Sequence, residues 1–157
     1  MARQQGIEAF LADIKRRVND LQQQGRGTDD FIREISDRYA FIRLHDIGRP
    51  RQFLRQLAGE PPLKFGTTGF RRDLVDDKNP ARHYTAFVFV GYWLPLVLAI
   101  PVLWAWEILG FIRYGGHWSQ ADIRNGYIGL RHGRQVRQHG AAILPQLIER
   151  DLDGRAR

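Results

Sequence analysis

The sequence predicts an all-α protein built of amphipathic helices plus one apolar membrane helix, with a Pro-broken helical hairpin as the alternative form of that apolar element. Three observations predict it. Apolar residues recur at helical spacing towards both ends of the chain, and Gly and Pro punctuate the sequence between these runs. Between them, Tyr84 to Trp106 runs for twenty-three residues without a charge before Glu107. The resulting organisation is an N-terminal amphipathic helical region (1–59), a linker (60–79), an apolar membrane-attaching segment (80–114) and a C-terminal helical region (115–157).

The first helix follows from Ile7, Phe10, Leu11, Ile14, Val18 and Leu21, which fall on one face at 3.6 residues per turn. Gly25 and Gly27 end it. Thr28, followed by Asp29 and Asp30, offers an N-cap and first-turn acids to a second helix whose face carries Phe31, Ile35, Tyr39 and Ile42. Gly48 and Pro50 interrupt the chain, and a short helix with Phe53, Leu54 and Leu57 is closed by Gly59, Pro61 and Pro62. The linker is rich in Gly, Pro and Thr. Asn79 and Pro80 then read as N-cap and first residue of the next helix, with His83 in its first turn.

A straight helix over the apolar stretch would be about 33–35 Å long, enough to cross a hydrocarbon core of about 30 Å. Tyr84 at one end and Trp104, Trp106 and Tyr114 at the other match headgroup-level aromatic belts, with Arg82 and Arg113 outside them. A single-pass span is therefore the first expectation. Pro95 and Pro101 oppose it, because each removes a backbone donor and crowds the preceding turn. His83 lies twelve residues before Pro95 (95 − 83) and Glu107 twelve after it (107 − 95). A chain that reverses at Pro95 brings imidazole and carboxylate to the same end, whereas a straight helix holds them apart. The arms of such a hairpin, about 18 Å each, are too short to cross, which makes the element re-entrant, monotopic or protein-covered.

Beyond the apolar stretch, Gly115 and Gly116 break the chain. Ser119 with Asp122 then resembles a capping box for a helix that carries Ile123, Ile128 and Val136. Gly126, Gly129 and Gly133 lie on or near one side of it, and the Gly129/Gly133 pair has the spacing that lets helices approach closely. A last amphipathic helix carries Ile143, Leu144, Leu147, Ile148 and Leu152.

Composition narrows the function classes. The net charge is +7, and of twenty-four basic residues only Lys15, Lys64 and Lys78 are lysines. Arginine suits phosphate and carboxylate partners, yet here it is interleaved with acids and accompanies no nucleic-acid-binding motif. Membrane lipid and protein partners are expected; nucleic acid is not. The absence of cysteine excludes disulfides and thiolate metal sites. The polar, amphipathic first residues do not read as a cleavable signal peptide, and no phosphate-cradling loop or nucleophile elbow is present. No residue demands a bound pigment or quinone, so the cofactor is unknown.

The candidate chemistry rests on His83, Glu107 and Asp122. A His held by a carboxylate serves as general base or half of a metal site, and low-dielectric surroundings shift both pKa values. The bland alternative is a His at the interface, a Glu paired with Arg82 or Arg113, and an Asp that only caps a helix. His45, His117, His132 and His139 fit no ligand spacing. Asp77-Lys78, His83, the apolar stretch, Glu107, Trp118-Ser119-Gln120-Ala121-Asp122-Ile123, Asn125 and Gly129 together resemble VanZ-like and related small bacterial membrane-associated proteins over residues 76–133. That resemblance implies a membrane-associated helical domain more directly than a reaction. The expected function is a small membrane-attached interaction or accessory protein within a larger membrane assembly. The alternatives are a membrane-surface hydrolase-like domain using the His83/Glu107/Asp122 cluster, and a soluble all-α domain.

Overall fold

The computed structural model describes residues 5–41, 63–76, 79–113 and 115–155. Among these it contains six α-helices and no strand: α1 (Ile7–Gln23), α2 (Thr28–Ile35), α3 (Pro80–Trp93), α4 (Leu96–Arg113), α5 (Gln120–His139) and α6 (Leu144–Asp151). A π-helical turn, Ser36–Ala40, prolongs α2, and short 3-10 turns cover Arg72–Leu74 and Ala141–Ile143.

The amphipathic stripe of α1 is buried as its spacing requires: Ile7, Phe10, Leu11, Ile14, Val18 and Leu21 all enter the core. On α2, Phe31, Ile32 and Ile35 do the same, and Tyr39 follows in the π turn. Gly27 takes the N-cap position of α2, with Thr28 as the first helical residue. Ile42, the expected short helix with Phe53, Leu54 and Leu57, and His45 lie outside the described residues. Within the segment read as a linker, Phe65, Phe70 and Leu74 are buried in the same core as α1. Phe70 also forms an isolated antiparallel bridge with Asp153, which ties that segment to the end of α6.

Helix α3 is the centre of the fold. It is buried nearly all round, from Pro80 and Ala81 through Phe89 to Tyr92, the environment a helix without a polar face requires. Its backbone lies directly against α5. A Cβ on Gly133 would fall 2.2 Å from the Val88 carbonyl oxygen, one on Gly129 2.7 Å from the Tyr84 oxygen, and one on Gly91 2.2 Å from the Leu130 oxygen. Glycines on both helices therefore set this close crossing, as the Gly129/Gly133 spacing allows.

The straight apolar helix expected from length is not formed. Leu94 is extended (φ −109°, ψ 142°) and ends α3, because a residue before proline avoids the helical region and Pro95 has no N–H to continue the ladder. Pro101 is tolerated inside α4. No helix among the described residues is long and apolar enough to cross a membrane. The two arms instead fold back on each other as the hairpin alternative anticipated. Helix α4 turns Ala99, Leu103 and Glu107 inward at a spacing of four residues. Ala99 and Leu103 join Phe87 and Leu130 in a second, smaller apolar cluster between α3, α4 and α5. The opposite face of α4 is uncovered: Val97, Leu98, Val102, Ile108, Leu109 and Ile112 are all exposed.

Candidate functional site

The fold-back at Pro95 brings two of the three expected site residues together. His83, in the first turn of α3, and Glu107, on the inner stripe of α4, approach to 3.4 Å between Nε2 and Oε1, and both are buried. Phe87 lies against the imidazole at 4.9 Å between ring centroids, and Trp106 presents an edge to it at 6.5 Å. Gly126 of α5 closes the remaining side, since a Cβ there would stand 3.4 Å from Nε2 and collide with Leu103.

Electrostatics at this pair follow from burial. Desolvation pulls the His83 pKa down to about 4, opposed by a hydrogen bond to the Asp122 backbone and assisted by the Arg82 charge. Desolvation also pushes Glu107 up to about 7, with the negative charge of Asp122 adding to it. Both shifts favour neutral partners. Among the described residues neither Nε2 nor Oε1 makes a hydrogen bond of good geometry, so Nδ1 is the nitrogen that donates to the Asp122 carbonyl. Nε2 is then the ring nitrogen without a proton, and it faces the Glu107 carboxyl at 3.4 Å. The arrangement is a buried acid–base pair able to move one proton over a short distance.

Asp122 contributes by position. Its backbone N–H donates to Ser119 Oγ at 2.9 Å, the N-cap expected for α5, and its carbonyl receives His83. Among the described residues no three His, Asp or Glu side chains gather as a metal-holding group.

The expected interface residues divide. Trp104 is 39% exposed at the edge of α4's outer face, where Nε1 donates to Tyr127 Oη of α5 at 3.0 Å. Tyr84 does not lie at an interface: it is 1% exposed, because a residue one turn into the central helix has neighbours on every side. Trp106 is half-buried and turns its ring towards His83 and Phe87. Arg82 is half-buried. The Tyr114 residue and the Arg113 side chain lie outside the described residues.

No protein-family model, curated protein or solved structure matches the chain.

Two polar clusters escaped the sequence reading. Tyr84 Oη lies 2.8 Å from His132 Nδ1, and His132 Nε2 lies 2.8 Å from Asp151 Oδ2, linking α3, α5 and α6. The acceptor role of Asp151 fixes the tautomer: Nε2–H donates to it and Nδ1 accepts from the tyrosine. Burial pulls the His132 pKa down to about 4 and holds the Tyr84 hydroxyl well above the ordinary tyrosine value. Asp151 also receives Arg150 and Arg131, and the Arg150 bond chiefly holds its carboxyl below the usual range. The second cluster centres on Asp13, buried on α1, which accepts from Tyr39 Oη, Arg16 and Arg17. Helical spacing signals neither: His132 finds partners 48 and 19 residues away, and Asp13 occupies the buried stripe where an apolar residue is the default.

The cavity lined by Gly69, Phe70, Arg71, Arg72, Asp73, Gly154 and Arg155 does not include His83. Two of its arginines are already forked into carboxylates, Arg71 into Asp73 and Arg155 into Asp153.

Proposed function

We propose that the chain is a small membrane-attached α-helical accessory protein, lying in the plane of the bilayer surface on the outer face of α4. The observation that carries this reading is the contiguous exposed surface of Val97, Leu98, Val102, Ile108, Leu109 and Ile112 on one helix. Large exposed apolar patches mark lipid or partner contacts, and the only charged residue of α4 before Arg113, Glu107, turns away from this one. The break at Leu94–Pro95 favours a monotopic attachment over a crossing. The resemblance to VanZ-like proteins points towards a membrane-associated helical domain as well. Flotation with lipid vesicles tests the reading. Wild-type protein rises with the vesicles, and Leu109→Glu/Ile112→Glu stays at the bottom with its helical circular dichroism unchanged; wild-type protein left at the bottom overturns it. Cysteines introduced near residues 78 and 116 in this cysteine-free chain are expected to label from the same side of intact cells.

A second reading is supported by the 3.4 Å approach of His83 to Glu107. An acid whose pKa sits near 7 beside a neutral imidazole has the properties of a general acid–base pair, and a membrane-surface hydrolase-like activity would use it with Asp122 orienting the ring. Turnover of p-nitrophenyl phosphate and ester probes that disappears in a folded Glu107→Gln variant supports it. Absence of turnover in the wild type across these probes removes it in favour of a structural pair.

A further inference from the structure

We propose that the attachment surface selects anionic bilayers, because an arginine row on α5 lies alongside the apolar face of α4. This rests on the membrane-attached reading and names the lipid charge that reading leaves open. The two helices are joined by the turn through Gly115 and Gly116 and run side by side in opposite directions. Leu103 meets Gly126, Trp104 meets Tyr127, and Leu130 joins Ala99 in the small apolar cluster. Arg124, Tyr127, Arg131 and Arg134 occupy one strip of α5 at intervals of three and four residues, and all four are exposed.

The border between strip and face is aromatic. Trp104 Nε1 donates to Tyr127 Oη at 3.0 Å, Trp104 and Trp118 meet edge-on at 6.2 Å, and Phe111 stacks on Trp118 at 4.6 Å. Apolar residues, then Trp and Tyr, then Arg is the order met on passing from acyl chains through the headgroup boundary to phosphate.

The acids within reach do not neutralise the row. Arg131 donates to Asp151 at 2.8 Å, but that carboxylate already receives Arg150 and His132. Arg124 stands 3.8 Å from Asp73, which Arg71 already holds at 2.7 Å. Guanidinium groups beside a membrane-facing surface gain from a negative leaflet and give forked donors to phosphate oxygens.

The test compares vesicles of phosphatidylcholine alone with vesicles of phosphatidylcholine and phosphatidylglycerol in equal parts, at low and high salt. Wild-type protein is expected to bind the anionic vesicles on the order of tenfold more tightly at low salt, with the difference reduced at high salt. Arg124→Gln/Arg134→Gln, which spares Arg131 and its contact to Asp151, is expected to keep its binding to phosphatidylcholine and lose most of that preference. Equal binding to both vesicles, or a preference undiminished in the double variant, overturns the proposal and leaves the membrane-attached reading standing. Binding to neither vesicle overturns both.

Discussion

A Cβ on Gly133 would lie 2.2 Å from the carbonyl oxygen of Val88, a separation at which the backbones of α5 and α3 must part. The obstacle is main chain, so no rotamer change relieves it. Gly133→Ala is expected to destabilise the fold by about 2–4 kcal/mol, and Gly129→Ala to act in the same direction. Gly110, in α4 with nothing within 4 Å of its Cβ position, is the control. There alanine is expected to be neutral or to stabilise by roughly 0.5–1 kcal/mol. Urea unfolding in one detergent condition throughout separates the two outcomes.

Glu107 gives the stability a pH dependence of definite sign. Its folded pKa, about 7, lies above the 4.5 of the unfolded chain, so between these values the folded state binds more protons. The stabilising contribution is complete below about pH 4.5 and is lost as pH rises through 7. Glu107→Gln keeps a donor for His83 Nε2 and cannot ionise. From pH 5 to pH 8 the wild type is expected to lose on the order of 2–3 kcal/mol relative to that variant. Parallel pH dependences for the two proteins contradict it.

The histidines act in the opposite sense. His83 and His132 both have folded values near 4 against 6.5 unfolded, so the unfolded chain binds more protons between those limits. Their contribution is complete above about pH 6.5 and is lost as pH falls towards 4. Tyr84→Phe removes the hydroxyl at His132 Nδ1 and leaves that nitrogen buried without its donor. It is expected to cost about 1–3 kcal/mol and to move the pH at which His132 titrates, as followed by its imidazole NMR resonances.

Asp13 is the acceptor at the centre of the α1 cluster. Asp13→Asn removes the charge that Arg16 and Arg17 share, while Arg17, whose side chain is 12% exposed, keeps Glu34 as a charged partner. A loss of about 1–3 kcal/mol is expected in urea unfolding. Arg16, 64% exposed, meets the same carboxylate from solvent, and Arg16→Ala is expected to change stability by less than about 1 kcal/mol.

How much of this was legible depended on whether the signal was local. The stripe of α1 is a local pattern, and every residue named from it is buried. The His83–Glu107 approach was legible as an alternative, because two equal intervals about Pro95 need only one assumption, that the chain reverses there. Length argued for a span instead, and length cannot reveal that Leu94 adopts the extended backbone a following proline favours. Tyr84 shows the limit most sharply. An aromatic residue at the end of an apolar run has the same local sequence whether it meets lipid or core, and what decides is His132, 48 residues away. The Gly129/Gly133 spacing was visible, but its significance rests on Val88 and Gly91, which only the packed α3–α5 pair identifies.

The reversal at Leu94–Pro95 makes the distance along each arm a matter of rotational phase. Removing one residue between Pro95 and Glu107 would turn everything beyond the deletion by about 100° around α4. The carboxylate would leave the seam and Ile108 would take its position. Glu107 would fall where the half-buried Trp106 now stands and Arg113 where the exposed Ile112 now stands, so a one-residue change in arm length would break the His83–Glu107 approach and put a guanidinium on the apolar outer face of α4 together.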